Sequence, residues 1–294
     1  MRLKRGYRRK SRFNHSVRRL CLPVDICAAS RYAEKTEPFT DRLWRLFMDR
    51  IKAKIIGTAV FAAAVLFLPS FTSCQFLNIV TGNRNIKTKS YDLKNFTAVS
   101  CSGKWTVHIE HGADFSIKIT SDENLFPFFD VFVGGGDTLY VNERGSHNLQ
   151  STEQEVFITM PVLTRLRASG SLRGFISEFN QPAADLSLSL SGSGTITADS
   201  LAVQNINMKI SGSGIVSAYG KAHDMKASIS GSGTIKARGL ETDDADISIS
   251  GSGLAEVWAT TTLKATISGA GMVRYKGNPT ITGTYPVGSV KPLH

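Results

Sequence analysis

The sequence predicts an all-β protein, a parallel β-solenoid in the form of a single-stranded β-helix with rungs of about 20 residues. The tetrapeptide SGSG begins at Ser191, Ser211, Ser230 and Ser250, and a degenerate copy, SGAG, begins at Ser268; the spacings are 20, 19, 20 and 18 residues. Around each copy apolar and polar residues alternate, which is typical of half-buried strands. No single repeat can cover its own apolar face, so successive copies are expected to stack.

Apolar columns appear when the five copies are aligned on the first serine of SGSG. They lie one, three and five positions before that serine, and the positions between them are polar. Two further columns carry charges of alternating sign, which favours the same register between neighbouring rungs. The apolar columns are Leu190, Ile210, Ile229, Ile249 and Ile267; Leu188, Met208, Ala227, Ile247 and Ala265; and Leu186, Ile206, Met225, Ala245 and Leu263; the charged columns are Lys226, Asp246 and Lys264, and Lys236, Glu256 and Arg274.

The SGSG segments are predicted to be corners between strands. A phosphate-binding glycine loop leads into the N-terminus of a helix, whereas the residues TITA, IVSA and TIKA after three of the copies alternate as strands do. A flexible linker would not recur at regular intervals between phased strands. Glycine permits the tight backbone turn that a corner of this kind needs.

The formal net charge of +11 arises in the N-terminal part of the chain. Residues 1–50 carry 14 Lys and Arg against 5 acidic residues, whereas residues 75–294 carry 19 basic and 19 acidic side chains. The pI therefore gives no reason to expect a nucleic-acid partner. Residues 1–47 show no hydrophobic periodicity, and we interpret them as a misassigned upstream extension, disordered or partly helical, before a true start at Met48.

Residues 48–74 are typical of an export signal. Three basic residues precede the 14-residue apolar run IIGTAVFAAAVLFL, which is short for a membrane-spanning helix. The following FTSC resembles the lipobox of bacterial lipoproteins, although Phe71 replaces the usual leucine. We therefore expect lipid attachment at Cys74, a membrane partner through this anchor, and an exported outer-membrane or periplasmic lipoprotein; the alternative is an uncleaved membrane anchor.

The remaining chain is divided into a linker at 75–90, the solenoid domain at 91–282 and a C-terminal tail at 283–294. Two cysteines lie in the leader and Cys74 takes the lipid, so Cys101 is the one left in the domain and no internal disulfide is expected. Its apolar strand context predicts a small core residue rather than a reactive thiol.

The first half of the domain follows the same plan more loosely. AVSCSGKWTVHI (98–109) and RASGSLRGFI (167–176) resemble rungs around Ser100 and Ser169, and residues 113–159 between them alternate as antiparallel strands do, with a hairpin turn at Gly134–Gly136. We expect four phenylalanines of this segment to form a hydrophobic plug at the end of the stack, because solenoids need terminal caps. They are Phe126, Phe128, Phe129 and Phe132.

Over about residues 85–282 the chain resembles the head GIN domain family of autotransporter adhesins. The resemblance lies in YDLKNFTAVSCSGKWTVHIEHG, DENLFPFFDVFVGGGDTLYV, the SGSG rungs and YKGNP at 275–279. It implies an exported protein, often a lipoprotein, with a β-solenoid of SGSG-type rungs. The family provides no catalytic residues that could be assigned here.

One polar column is a candidate metal site. Asp185, Asp224 and Asp244 stand six positions before their SGSG copies, with Asn205 and Thr262 in the same column. Stacked oxygens of this kind can bind Ca²⁺. The favoured interpretation is that these side chains initiate turns through local hydrogen bonds to the backbone, so neither a metal nor another cofactor is expected.

A second column is a candidate ligand contact. Tyr219, Arg238 and Trp258 stand eight positions after their SGSG copies, in an outward phase. Two aromatic rings with a guanidinium between them could stack against a sugar, or they could form an aromatic–cation sandwich that stabilises the corner.

No catalytic residues are identified. HIEH at 108–111 lacks further zinc-ligand spacing, and no nucleophile elbow or dinucleotide fingerprint is present. The sequence therefore predicts a non-catalytic, adhesin-like or structural binding scaffold of the cell envelope, with an envelope polysaccharide or another surface protein as its partner. The alternatives are a solenoid enzyme acting on polysaccharides and a carbohydrate-binding module.

Overall fold

The computed structural model describes residues 78–293 except 146. The upstream extension, the export signal and Cys74 lie outside the described residues. The predicted parallel β-solenoid is confirmed, with about six turns and an antiparallel portion near its N-terminal end.

In the described part, twenty strands and one 3-10 helix succeed one another along the chain. They are β1 (Asn78–Thr81), β2 (Ile86–Tyr91), β3 (Ala98–Gly103), β4 (Thr106–His111), β5 (Ser116–Asp122), the 3-10 helix (Glu123–Phe128), β6 (Phe129–Gly134), β7 (Thr138–Glu143), β8 (His147–Gln150), β9 (Gln154–Met160), β10 (Arg165–Gly170), β11 (Arg173–Ser177), β12 (Asn180–Gln181), β13 (Leu186–Gly192), β14 (Thr195–Gly212), β15 (Ile215–Gly231), β16 (Thr234–Gly251), β17 (Leu254–Gly269), β18 (Met272–Lys276), β19 (Thr280–Thr284) and β20 (Val290–Pro292).

Two regular faces of the solenoid meet at the SGSG corners. Face A comprises the strand segments that end at these corners, and face B comprises those that begin after them. Face A is β7, β3, β10 and β13, then residues 206–212, 225–231, 245–251 and 263–269 of the long strands, with β6 and β19 at its edges. Face B is β9, β4 and β11, then residues 195–199, 215–219, 234–238 and 254–258, then β18 and β20.

The predicted register of the rungs is confirmed. Leu190 pairs with Ile210, and the column continues rung by rung to Ile267, with every member buried. Each charged column forms one ion pair: Lys264 Nζ lies 3.0 Å from Asp246 Oδ2, and a guanidinium nitrogen of Arg274 lies 3.8 Å from Glu256 Oε1. These pairs lie at the surface, so each contributes only about 0.2–1 kcal/mol, and the buried apolar columns supply most of the stability.

The order of rungs in space differs from their order in the chain. β3 and β4 lie between β7–β9 on one side and β10–β11 on the other, and all four contacts are parallel. The chain leaves this rung through antiparallel β5 and β6, then returns to place β7–β9 outside it. The predicted antiparallel excursion is thus confirmed, but Ser102, not Ser100, is the serine that pairs with Ser169.

Strands occur within the predicted linker and within the predicted tail. β1 and β2 lie within the predicted linker at 75–90, where β1 pairs with β8 and β2 with β5. Within the predicted tail, β20 pairs with β18. β2 is an edge strand whose exposed polar residues, including Lys87 and Lys89, give no period-two apolar signal.

The phenylalanine plug forms in part. Phe129 is buried and meets the fully buried Trp105 edge-to-face at 4.7 Å, while Phe126 and Phe128 pack against the same core. Phe132 differs from the prediction because it points outward on β6 and stacks on Tyr140. The cap therefore uses three of the four rings.

A buried carboxylate fastens the N-terminal cap. Asp122 is fully buried and accepts hydrogen bonds from the backbone N–H of Arg84 at 2.6 Å and of Thr152 at 2.7 Å, and from the Thr152 hydroxyl at 3.2 Å. Burial alone would raise the pKa of this carboxyl, but the hydrogen bonds hold the pKa below its ordinary value. Asp122 thus joins the loop after β1 to the loop before β9.

Cys101 is a buried core residue, as predicted, and burial raises the pKa of its thiol to about 12. No helix within residues 78–293 is both long enough and apolar enough to cross a bilayer.

Candidate functional site

Two grooves lie along face A. The first, the acidic groove, has a volume of about 590 Å³ and follows the side where the chain enters face A. The second, the basic groove, has a volume of about 400 Å³ and lies over β3, β10, β13 and the adjoining segment of β14. The stacked rungs thus present polar side chains along both grooves at a repeat of about 4.8 Å, the separation of neighbouring strands.

The acidic groove contains the column that the sequence suggested as a metal site. Asn205 Nδ2 donates to Asp185 Oδ1 at 2.8 Å, and Thr262 Oγ1 donates to Asp244 Oδ1 at 2.6 Å. Asp224 Oδ1 lies 2.9 Å from Nδ1 of His223. These hydrogen bonds join side chains, two of them between neighbouring rungs, rather than joining side chains to the local backbone as the sequence analysis favoured.

The geometry of this column does not gather its carboxylates around one point. Asp224 pairs directly with Asp244, but Asn205 separates Asp224 from Asp185. In the described part of the chain, no three His, Cys, Asp or Glu side chains lie close enough together to hold a metal ion. The column therefore joins neighbouring rungs by two separate hydrogen bonds, one at each end of the groove.

The basic groove is lined by hydroxyls and two cations. Arg167 of β10 pairs with Ser189 of β13, which pairs with Lys209 of β14, so the two charges lie two rungs apart with a hydroxyl between them. The floor consists of buried apolar side chains. The remaining lining residues on the outward positions are serines: Ser100, Ser102, Ser169, Ser191 and Ser211.

The predicted ligand residues Tyr219, Arg238 and Trp258 do not pair with one another in the sheet. The register shifts at two places, so Tyr219 pairs with Gly239, Trp258 pairs with Glu241, and Arg238 pairs with neither aromatic residue. Lys276 Nζ lies 3.4 Å from the centre of the Trp258 ring. Lys276 therefore covers that face of the ring in a cation–π contact. The sequence analysis offered a stabilising contact of this kind as one alternative, with Arg238 as the cation.

Face B carries an aromatic stack that the sequence analysis missed. His108 lies between Phe157 and Phe175, with ring centroids 4.8 and 5.2 Å apart and nearly parallel planes. His108 stacks with one ring on each side, while Phe157 and Phe175 remain 40% and 42% exposed, and the stack stabilises neighbouring rungs. The signal was hidden because His108 and Phe175 are adjacent in space although the rung of β7–β9 lies between their rungs in the chain.

A family model described as "putative auto-transporter adhesin, head GIN domain" matches residues 95–279. The chain belongs to this family. The residues that line the two grooves of face A all lie between positions 100 and 264, so the match includes both grooves completely. A comparison with curated protein sequences finds no relative.

Solved structures show that the fold recurs in other proteins. A putative adhesin from Bacteroides fragilis NCTC 9343 has a TM-score of 0.64 and 23% identity, covering 73% of this chain and 100% of its own. A putative lipid binding protein from Parabacteroides distasonis ATCC 8503 has a TM-score of 0.61 and 23% identity, with coverage of 74% and 100%. A putative adhesin from Parabacteroides merdae ATCC 43184 has a TM-score of 0.56 and 25% identity, with coverage of 74% and 100%.

Proposed function

We propose that this protein is an exported, lipid-anchored component of the cell envelope that acts as a non-catalytic, adhesin-like binding scaffold through face A. The observation that carries this proposal is that both grooves lie along face A, where in-register rungs repeat polar side chains at one fixed spacing. A ligand that contacts several rungs at once gains affinity from many weak contacts.

The family description supports a role at the surface, and the sequence supports the route by which the protein reaches it. The export signal at 48–74 ends at Cys74, so the acyl chains on that residue would hold the solenoid at an outer-membrane or periplasmic leaflet. The partner is then the membrane through the anchor, together with an envelope polysaccharide or another surface protein. A nucleic-acid partner is not proposed, because residues 75–294 have no net charge.

Lipid anchoring predicts that cells expressing the chain incorporate a labelled fatty acid into it, and that Cys74→Ser abolishes the label and releases the protein from the membrane fraction. Cys101→Ala is the matched control, because Cys101 is buried in the core and is expected to leave labelling unchanged. Full labelling of the Cys74→Ser protein would contradict the anchor.

Binding through face A is tested with the full chain in mild detergent, applied to an array of envelope polysaccharides and to intact cells. The scaffold proposal expects saturable binding without turnover of the bound material. Release of shortened products from the polysaccharides would show an enzyme instead and would overturn the non-catalytic assignment.

A further inference from the structure

We propose that the basic groove binds an acidic polysaccharide that carries one anionic group per disaccharide, lying along the solenoid axis. This inference rests on the proposed scaffold function and deepens it, because it assigns a ligand class to one of the two grooves. It depends on the charge, the spacing and the side-chain chemistry of a single outward column of face A.

The column begins at β6 and continues without interruption across six strands. Its members are, in spatial order, Phe132, Tyr140, Ser100, Arg167, Ser189 and Lys209. Two aromatic rings are thus followed by hydroxyl, cation, hydroxyl and cation. All three kinds of side chain favour an acidic sugar polymer: cations pair with carboxylates, hydroxyls bond to ring hydroxyls, and aromatic rings contact the apolar faces of sugars.

The cations of the groove are available for a ligand. Neither Arg167 nor Lys209 forms a salt bridge with any residue in the described part of the chain, and both side chains are exposed. By contrast, Lys264 further along face A is paired with Asp246. Because residues 75–294 are neutral overall, these unpaired charges create a local positive strip rather than a general basic surface.

The spacing of the cations selects the polymer. Arg167 and Lys209 lie two rungs apart, about 9.6 Å if each rung contributes the usual strand separation of about 4.8 Å. The usual strand separation is close to the length of one pyranose unit in an extended chain. Anionic groups on alternate sugars would therefore meet both cations, while the neutral sugar between them faces Ser189.

The chemistry of the surroundings favours a polysaccharide over a membrane. An anionic bilayer binds a basic patch flanked by apolar side chains that insert between headgroups. The outward positions of the basic groove other than its two cations are serines, and its apolar residues are buried in the floor. The exposed Phe132 lies at one end of the column, beyond Tyr140, and not around the cations.

The test measures binding of the full chain, in mild detergent, to hyaluronan octasaccharide by calorimetry. This probe carries one carboxylate per disaccharide, and its carboxyl-reduced form is the neutral counterpart of equal length. We expect saturable binding of the acidic probe that weakens with added salt, and at least tenfold weaker binding of the reduced probe. Arg167→Gln and Lys209→Gln are each expected to weaken binding of the acidic probe about five- to tenfold.

Lys236→Gln is the matched control, because Lys236 is an exposed lysine on face B, and it is expected to leave the affinity unchanged. Circular dichroism of each variant establishes that it is folded. Equal binding of the reduced probe, an equal loss in Lys236→Gln, or binding to anionic vesicles in preference to the octasaccharide would each overturn the inference. If the acidic probe fails to bind while other envelope polysaccharides still bind the chain, the inference is wrong and the scaffold function stands.

Discussion

Gly231→Ala is expected to destabilise the solenoid by at least about 3 kcal/mol. Gly231 is the first glycine of an SGSG corner and has a φ of +118°, which residues with a Cβ rarely adopt. A Cβ at this position would lie 2.6 Å from the carbonyl oxygen of Gly212 in the rung beneath it. Because that neighbour is backbone, relief would require separating two rungs that share a core.

The measurement for this variant is thermal unfolding followed by circular dichroism, where a loss of about 3 kcal/mol lowers the Tm by roughly 6–12 °C for a domain of this size. Gly135→Ala is the control, because no atom lies within 4 Å of a Cβ there and it is expected to change stability by less than about 0.5 kcal/mol. Equal Tm values for the two variants would show that the SGSG glycines are not needed for close stacking.

Asp122→Ala is expected to lower the free energy of unfolding by about 3 kcal/mol and to release the N-terminal cap from the stack. The substitution leaves the part-buried backbone N–H groups of Arg84 and Thr152 without their acceptor. Loss of the cap would expose the apolar end of the stack, including Phe129, so a rise in binding of a hydrophobic dye should accompany the lower Tm.

The same carboxylate predicts a pH dependence. Its pKa is lowered in the folded protein, so the stabilisation is fully present above the unfolded pKa of about 3.9 and is lost as the pH falls through the folded pKa. Unfolding titrations between neutral and acid pH should therefore show a decline below about pH 4 that is smaller in Asp122→Asn. Asp114→Asn, at an exposed position, serves as the control, and an unchanged acid decline in Asp122→Asn would contradict the assigned role.

The regular half of the fold could be predicted from the sequence because apolar residues recur at the same positions of every SGSG repeat, which defines the register between rungs. The sets around Leu190 and Ile210 repeat at nearly constant spacing, and only one pairing buries all of them at once. The charged pair Lys264 and Asp246 supports the same register. The corner function of SGSG follows from the same regularity.

The antiparallel character of the irregular half was predicted, but its strand pairings could not be, because they join segments that are distant in the chain. β3 pairs with β7 and β10, and alternation within a strand does not specify which distant strand becomes its neighbour. The polar edge strand β2 has no apolar alternation at all. Shifts of register beside Tyr219 and between Ala237 and Glu241 displace the predicted ligand column, and small bulges of this kind have no clear signal in the sequence.

The basic groove had a signal that an alignment of rungs could have found. Placing Ser169 against Ser191 sets Arg167 beside Ser189 and hence two rungs from Lys209. The aromatic end of the column could not be predicted from the sequence, because Tyr140 enters the column through β7, whose rung is out of chain order in space. The cations and serines of the site could therefore be found by aligning the rungs, whereas its aromatic residues are revealed only by the structure.

The assignment of binding to face A is tested most directly by placing one bulky side chain on each face. Ser189→Tyr adds a ring in the basic groove of face A, and Thr197→Tyr adds the same ring at a half-buried outward position on face B; tyrosine is well tolerated in strands. With both variants equally folded, binding to envelope polysaccharide is expected to be lost in Ser189→Tyr and retained in Thr197→Tyr. Retention in Ser189→Tyr together with loss in Thr197→Tyr would place the binding surface on face B and contradict the account.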